Sequence, residues 1–366
     1  MKVNEYFSDF IKNISLSNDL VQSLKSAHTD LRTKLSKDES TKDLVVATFI
    51  QGSYARSTCI KPADDNKVDV DVIAVTNIPS STSARSAFES FYPFMKKNYS
   101  VVSEDDDAKV RQQSRSIGIA LQKVDLDFVP TSAPSEEVNG LLRSIAGFSD
   151  FTVDSLVPKS SVTRFYDSLS AEGSNWKDEP LNIPDYDTNT WDKTHPLQQI
   201  QSTHEKNKLC NGYFLRVVKC IKWWKRVNLS GQEHPKSYPL ERFVGECCPN
   251  DIHSVGEGIV LTFEKIVNDY KNKPFLPDYG VPMHDVFGRL SDKDYKTFYE
   301  KVKQMAPLAR EAYDSNSSEV SVNKWREFFA ECSEFPEYSG PSSNAESASF
   351  TPRQQKSVSF PTSRFG

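Results

Sequence analysis

Two pairs of aspartates, Asp69 with Asp71 and Asp125 with Asp127, each lie inside an apolar run at a spacing of two residues. In a strand, residues i and i+2 share a face, so each pair presents its carboxylates side by side. A single pair is what the solvated face of an amphipathic strand would look like. Aspartate is disfavoured in strands, however, and two pairs within apolar runs favour a chemical role. Carboxylates converging from more than one segment suit two Mg²⁺ ions about 4 Å apart, which neutralise triphosphate charge and sharpen an attacking hydroxyl in phosphoryl transfer. Gly52-Ser53 complements them. Glycine lets the backbone approach a triphosphate closely, and the N–H groups and hydroxyl of a turn opened by Ser53 can hold a phosphate. Gly-Ser alone marks many plain turns. Followed by Asp-x-Asp about sixteen residues later and then by a third strand carboxylate, it becomes specific.

Strands must hold these groups. Residues 44–50 form a β-rich run that ends at Gly52, and residues 68–75 begin with strict alternation, burying Val68, Val70 and Val72 opposite the aspartates. Residues 117–121 and 124–129 predict a hairpin across Gln122-Lys123, and a neighbouring strand could bring Asp125 or Asp127 alongside the first pair. Helical spacing covers residues 4–38, with Asn18 or Ser17 as N-cap of the second segment, and residues 84–95. Further helices are predicted at 203–227, 240–248, 256–271, 292–315 and 323–332. Residues 171–196 are polar and read as an ordered connection between lobes. From 334 onward Ser, Pro, Asn and Gln predict a disordered tail.

The 366 residues allow two domains, and 37% hydrophobic with 26% charged content suits an ordinary globule. No apolar run is long enough to span a bilayer and the N-terminus lacks a signal-peptide core, so the cytoplasm is expected and no membrane. A net charge of −5 argues against bulk nucleic-acid binding. The six cysteines are irregularly spaced and read as reduced thiols. Cys247-Cys248 near His234 and His253 invites a zinc reading, but adjacent cysteines chelate one ion poorly and buried thiols are favoured.

At about 100° per residue, Arg216, Lys219, Lys222 and Arg226 fall within an arc of roughly 120°, with Phe214, Val217, Val218, Ile221 and Trp224 on the remaining side. A solvated helix face would look similar. The absence of acids from Arg216 to Arg226 is unusual in an acidic chain, and a triphosphate held by carboxylates still offers oxygens to lysine on its far side.

The run Gln51-Gly52-Ser53-Tyr54-Ala55-Arg56-Ser57-Thr58, then Val68-Asp69-Val70-Asp71-Val72, resembles the polymerase-β-type nucleotidyltransferase signature. More narrowly, it is similar to the bacterial cGAS/DncV-like nucleotidyltransferases, the CD-NTases of anti-phage (CBASS) defence. Residues 208–212, 218–225 and 236–241 resemble the family's α-helical lobe, and Trp191, Thr194-His195-Pro196-Leu197 and Glu205-Lys206-Asn207-Lys208 resemble its clade D. The resemblance implies an α+β fold. A polymerase-β-like core of mixed sheet and helices would occupy residues 1–190, an α-helical lobe 191–333 and the tail 334–366. It also implies a cyclic oligonucleotide synthase that uses ATP and a second NTP, releases pyrophosphate and makes a cyclic trinucleotide containing adenine. The catalytic carboxylates and metal ligands carried over are Asp69, Asp71 and Asp127, with Asp125 secondary, for Mg²⁺ or alternatively Mn²⁺. Nucleotide contacts fall on Gln51, Gly52, Ser53, Arg56, Lys219, Lys222, Ser237 and Tyr238; Ser237 could equally be a helix N-cap and Tyr238 a packed aromatic. Partners implied are a separate effector that senses the product and a ubiquitin-activating and conjugating-type enzyme that joins Gly366 to a target. Nucleotidyl transfer to another acceptor, RNA or a small antibiotic, is the alternative activity; an idle nucleotide-binding scaffold is the alternative class.

Overall fold

The computed structural model describes residues 3–63, 67–100, 110–134 and 179–340. Strands β1 (Val45–Gln51) and β2 (Val68–Thr76) are the two β-rich runs, and they pair antiparallel with Gln51 opposite Asp71. Further strands are β3 (Val110–Gln112), β4 (Ile117–Ala120) and β5 (Val124–Pro130). β4 and β5 form the predicted antiparallel hairpin. The five strands make one mixed sheet in the order β1-β2-β5-β4-β3, in which β2 and β5 run parallel. Alternation works as expected in β2: Val68, Val70 and Val72 are buried while Asp69 is exposed and Asp71 half-buried.

Helices α1 (Asn4–Ile14) and α2 (Asn18–Lys37) are the two segments expected within 4–38, and of the two candidates Ser17 is the N-cap of α2, accepting from the Leu20 N–H. α2 lays Leu24, Leu31 and Leu35 on β1, β2 and β5. A one-turn helix, α3 (Gly52–Ala55), stands where a polar turn is predicted, and α4 (Ala84–Tyr99) adds Phe88, Phe91 and Met95 to the same core. The stretch 171–196, expected as an ordered connection, is ordered where it is described. Residues 171–178 lie outside the described residues, and the remainder holds a β-hairpin, β6 (Leu181–Asp185) and β7 (Thr190–Thr194), turned through Asn189 at φ 56°.

The predicted helix 203–227 is two helices, α5 (Pro196–Leu209) and α6 (Phe214–Asn228). Asn211 and Gly212 between them take φ values of 53° and 80°, the left-handed conformation that Asn-Gly adopts at little cost. α7 (Ser237–Cys247), α8 (Val255–Asp269), α9 (Asp292–Asp314) and α10 (Ser318–Phe328) complete the helical part. These helices share a second core around Trp224, Phe243, Phe263, Trp325 and Phe328. α1 belongs to this second core through Phe7, Phe10 and Ile14, although it precedes the sheet in sequence. Residues 334–339 are ordered against α1: Phe335 is 1% exposed among Phe7, Phe10 and Phe329, and Asn13 donates to the Glu334 carbonyl at 2.9 Å. Residues 341–366 lie outside the described residues.

Candidate active site

Parallel pairing of β2 with β5 sets Asp69 opposite Asp125 and Asp71 opposite Asp127. Register partners in neighbouring strands share a face, so all four carboxylates stand on one side of the sheet. The two candidates on β5 then differ. Asp127 is half-buried and accepts from Gln113 Nε2 at 3.2 Å, whereas Asp125 has a side chain 49% exposed and pairs with Lys67 at 3.5 Å. Burial pushes the Asp71 carboxyl up to about 7, the neighbouring Asp127 and Asp69 add to the rise, and Arg56 opposes it. Burial likewise raises Asp127 to about 6, with Asp69 assisting and the Ser116 and Gln113 hydrogen bonds opposing. Asp69 is raised by burial and by Asp125, against Lys222. Crowded, partly desolvated carboxylates of this kind are relieved by cations.

Gly52 closes the other side. Its φ is +82°, and a Cβ placed on it would lie 2.1 Å from Asp71 Oδ2. No side chain larger than hydrogen fits there without moving that carboxylate.

A cleft of ≈ 1390 Å³ opens between the sheet and the helical core, and Ser53, Asp69, Lys222, Ser237 and Tyr238 are on its wall. Pockets for one small ligand run from about 300 to 1,000 Å³, so the space suits more than one nucleotide. Lys67, Arg115, Lys225, Lys236 and Arg289 also line it, interleaved with Asp192, Glu233, Asp278 and Asp285.

Not every expected contact faces the cleft. Arg56 is buried, its Nε 2.9 Å from Glu241 Oε2 and its guanidinium 4.9 Å from the centre of the Tyr238 ring. Lys222 reaches the cleft wall but is largely buried, donating to Glu241 Oε1 at 2.9 Å and to the Thr58 carbonyl at 3.0 Å. Lys219 points toward α1, with Nζ 3.4 Å from Ser15 Oγ, and Arg226 donates to the Lys61 carbonyl. The basic arc on α6 is therefore divided among three neighbours. Ser237 is the first residue of α7, and the N-cap is Lys236, which makes no side-chain capping bond. Tyr238 donates to Asp278 Oδ2 at 2.5 Å, and Asp278 is held by Gln199 and by the N–H groups of Gly280 and Val281.

Glu241, Asp278 and Gln113 are the residues that sequence reasoning misses. Only Glu241 leaves a signal: it is a lone acid between Leu240 and Phe243 on a helix that buries both. Asp278 meets Tyr238 and Gln199 from distant segments, and Gln113 meets Asp127 only once the sheet has formed. Cys247 and Cys248 are buried in the helical core, with Cys210 beside Cys248.

The model for second messenger oligonucleotide or dinucleotide synthetase domains matches residues 1–139. Along the whole length, the chain is 35% identical over 390 residues to the cyclic AMP-AMP-GMP synthase of Enterobacter hormaechei subsp. hoffmannii (strain UCI 50), with 100% of both chains covered. This chain belongs to the bacterial CD-NTases. The CD-NTase is also 28% identical to a cyclic AMP-AMP-AMP synthase of Acinetobacter sp. (strain ATCC 27244 / 9458), over 89% of this chain and 84% of that one. Its fold resembles E. coli MS115-1 CdnC solved with ATP, at a TM-score of 0.62 with 14% identity, covering 91% of this chain and 98% of that chain. The polymerase-β-like α+β architecture expected from the sequence is thus present, and the CD-NTase is a nucleotidyltransferase that makes a cyclic oligonucleotide. Among the described residues no helix is long and apolar enough to cross a membrane.

Proposed function

We propose that this CD-NTase joins ATP and a second NTP into a cyclic trinucleotide containing adenine, with Asp69, Asp71 and Asp127 as its catalytic carboxylates. The observation that carries the site is the β2–β5 register, which stacks these carboxylates on one face beside Gly52. An all-carboxylate donor set is what Mg²⁺, or alternatively Mn²⁺, prefers. Among the described residues no three His, Cys, Asp or Glu side chains are drawn together as a finished ligand cage, so the donor chemistry and the raised carboxyl pKa values are what fit. Such ions, when bound, neutralise triphosphate charge and make an acceptor ribose hydroxyl easier to deprotonate.

The chain's own groups supply the positioning. Lys222 uses two of its three N–H donors on Glu241 and Thr58, leaving a third for a triphosphate oxygen. Ser53 and Ser237 offer hydroxyls on the same wall, and Gly52 leaves room for the backbone to approach phosphate. The Tyr238 ring, backed by Arg56 and tethered to Asp278, gives a base a stacking platform. Asp125, exposed and paired with Lys67, has a secondary part. Adenine and a ring of three are supported by the Enterobacter and Acinetobacter relatives, both of which are named for trinucleotides built on AMP.

The test is to incubate the purified protein with the four NTPs and Mg²⁺, treat with phosphatase, and weigh what survives. A resistant product with the mass of three nucleoside monophosphates less three waters, at least one of them AMP, is expected. Products that need added RNA or another acceptor would sink the proposal, as would unchanged product from Asp69→Ala/Asp71→Ala. We also propose that a separate effector senses the product in anti-phage defence, and that a ubiquitin-activating and conjugating-type enzyme acts on Gly366, which lies outside the described residues. Deleting Gly366 should abolish higher-mass adducts in cells; unchanged adducts would remove that idea.

A further inference from the structure

The carboxylate site has two cations at its back, and both are held by one acid. Glu241 sits on α7 and is 6% exposed, with Arg56 at 7% and Lys222 at 8%. Each of its oxygens takes one cation at 2.9 Å. Arg56 belongs to the turn after α3, where its own N–H donates to the Gly52 carbonyl at 3.1 Å. Lys222 comes from α6 and also bonds to the Thr58 carbonyl. One carboxylate therefore ties together the phosphate-side turn, the basic helix and the helix that carries Tyr238.

Charge counting shows what else it does. Arg56 already senses Asp71, and Lys222 already senses Asp69. In a partly desolvated site an unpaired cation moves to the nearest carboxylate, because an isolated buried charge is costly. Without Glu241, Arg56 still feels Asp71 and Lys222 still feels Asp69, the two aspartates assigned to the metal. A guanidinium or ammonium lodged on them would occupy the oxygens that a divalent ion needs.

We infer that Glu241 is a positioning residue that keeps Arg56 and Lys222 off Asp71 and Asp69, reserving those carboxylates for divalent metal. The inference rests on the carboxylate site of the proposed function. It assigns Glu241 no contact with substrate. Its effect runs through the two cations, so removing a cation together with Glu241 should repair the defect.

The experiment measures Mn²⁺ binding to the full chain without nucleotide, by loss of the free-ion electron paramagnetic resonance signal. Thermal unfolding runs alongside. Glu241→Gln should weaken Mn²⁺ binding tenfold or more, and Glu241→Gln with Arg56→Gln should recover most of that loss. A merely structural role predicts a lower melting temperature with Mn²⁺ affinity unchanged, and that result overturns the inference. If Glu241→Gln does not fold, Glu241→Asp serves. Shortened by one methylene, it cannot pair with both cations and should weaken binding by a smaller factor, roughly threefold; wild-type affinity in a folded Glu241→Asp is equally fatal. A wild-type protein with no Asp71-dependent Mn²⁺ site would overturn the metal assignment itself, and this inference with it. A wild-type site left untouched by Glu241→Gln overturns the inference alone.

Discussion

At Gly52 the backbone comes closest to the chemistry. With φ at +82° and Asp71 Oδ2 where a Cβ would go, Gly52→Ala must strain the turn and displace the carboxylate. A misplacement of about 1 Å can cost about 10²-fold in rate, so a loss of that size is expected, with near-normal far-ultraviolet circular dichroism and activity assayed by product formation. The paired aspartates offer a second comparison. Asp127→Asn should abolish product formation, while Asp125→Asn should retain activity within about tenfold, since exposed ion pairs such as Asp125–Lys67 contribute about 0–1 kcal/mol. Equal losses in the two variants would refute the distinction. Spacing alone shows that Asp69 and Asp71 share a face, because that property is local to one strand. It cannot choose between Asp125 and Asp127, because their difference lies in Gln113 and Lys67, which arrive from elsewhere in the fold.

Elements explain where periodicity misleads. Apolar spacing over 203–227 is continuous, but the Asn211-Gly212 pair is a turn signal strong enough to end α5 and restart the chain as α6. The consequence is functional, since the break sets the direction of α6 and so the placing of Lys222. A Cβ on Gly212 meets nothing within 4 Å, so Gly212→Ala carries only the left-handed backbone cost of about 1–2 kcal/mol. It should lower the melting temperature by a few degrees and leave activity at room temperature intact, in contrast to Gly52→Ala. The joint of α3, α6 and α7 is the more demanding element. Burial alone would raise the Glu241 carboxyl, but Arg56 and Lys222 bring it down to about 2 from an ordinary value of 4.5. The unfolded chain therefore takes up this proton at a higher pH than the folded chain does. The stabilisation is complete above about pH 4.5 and is lost as pH falls through about 2, an effect on the order of 3 kcal/mol. Melting temperature measured from pH 7 down to pH 2 should thus fall more steeply in the wild type than in Glu241→Gln. Parallel curves would show that the carboxylate is not held by its two cations. Polar residues predict loops and apolar ones predict cores. A buried triad of Arg56, Lys222 and Glu241 breaks both rules, which is why periodicity does not reveal it.

On the scale of the whole molecule, the sheet and its core are legible because hydrophobic alternation and helical spacing are short-range properties. The destination of α1 is not, since nothing within residues 4–14 says which of two cores will receive Phe7 and Phe10. Composition also misplaces the start of the tail, because residues 334–339 are ordered. Glu334 pairs with Lys61 at 2.8 Å, Phe335 is buried, and Tyr6 stacks on Tyr338. A chain ended after residue 340 should keep its melting temperature and its product yield. Phe335→Ala should lose about 3–5 kcal/mol, the usual cost of emptying a buried aromatic site, read as a fall in denaturation midpoint. A midpoint within error of wild type would mean that the clasp contributes nothing. That clasp also bears on how the protein comes into being. Domains tend to fold N-terminal first as the chain is synthesised, yet α1, made before the sheet, packs on α6, α8, α10 and Phe335. Helix α1 has no finished seat until residue 335 has left the ribosome. Glu241 and Tyr238 arrive late as well, after both Asp-x-Asp pairs. A nascent chain therefore carries its carboxylates long before it has the wall that faces them, and the cleft is complete only once the helical part has been made.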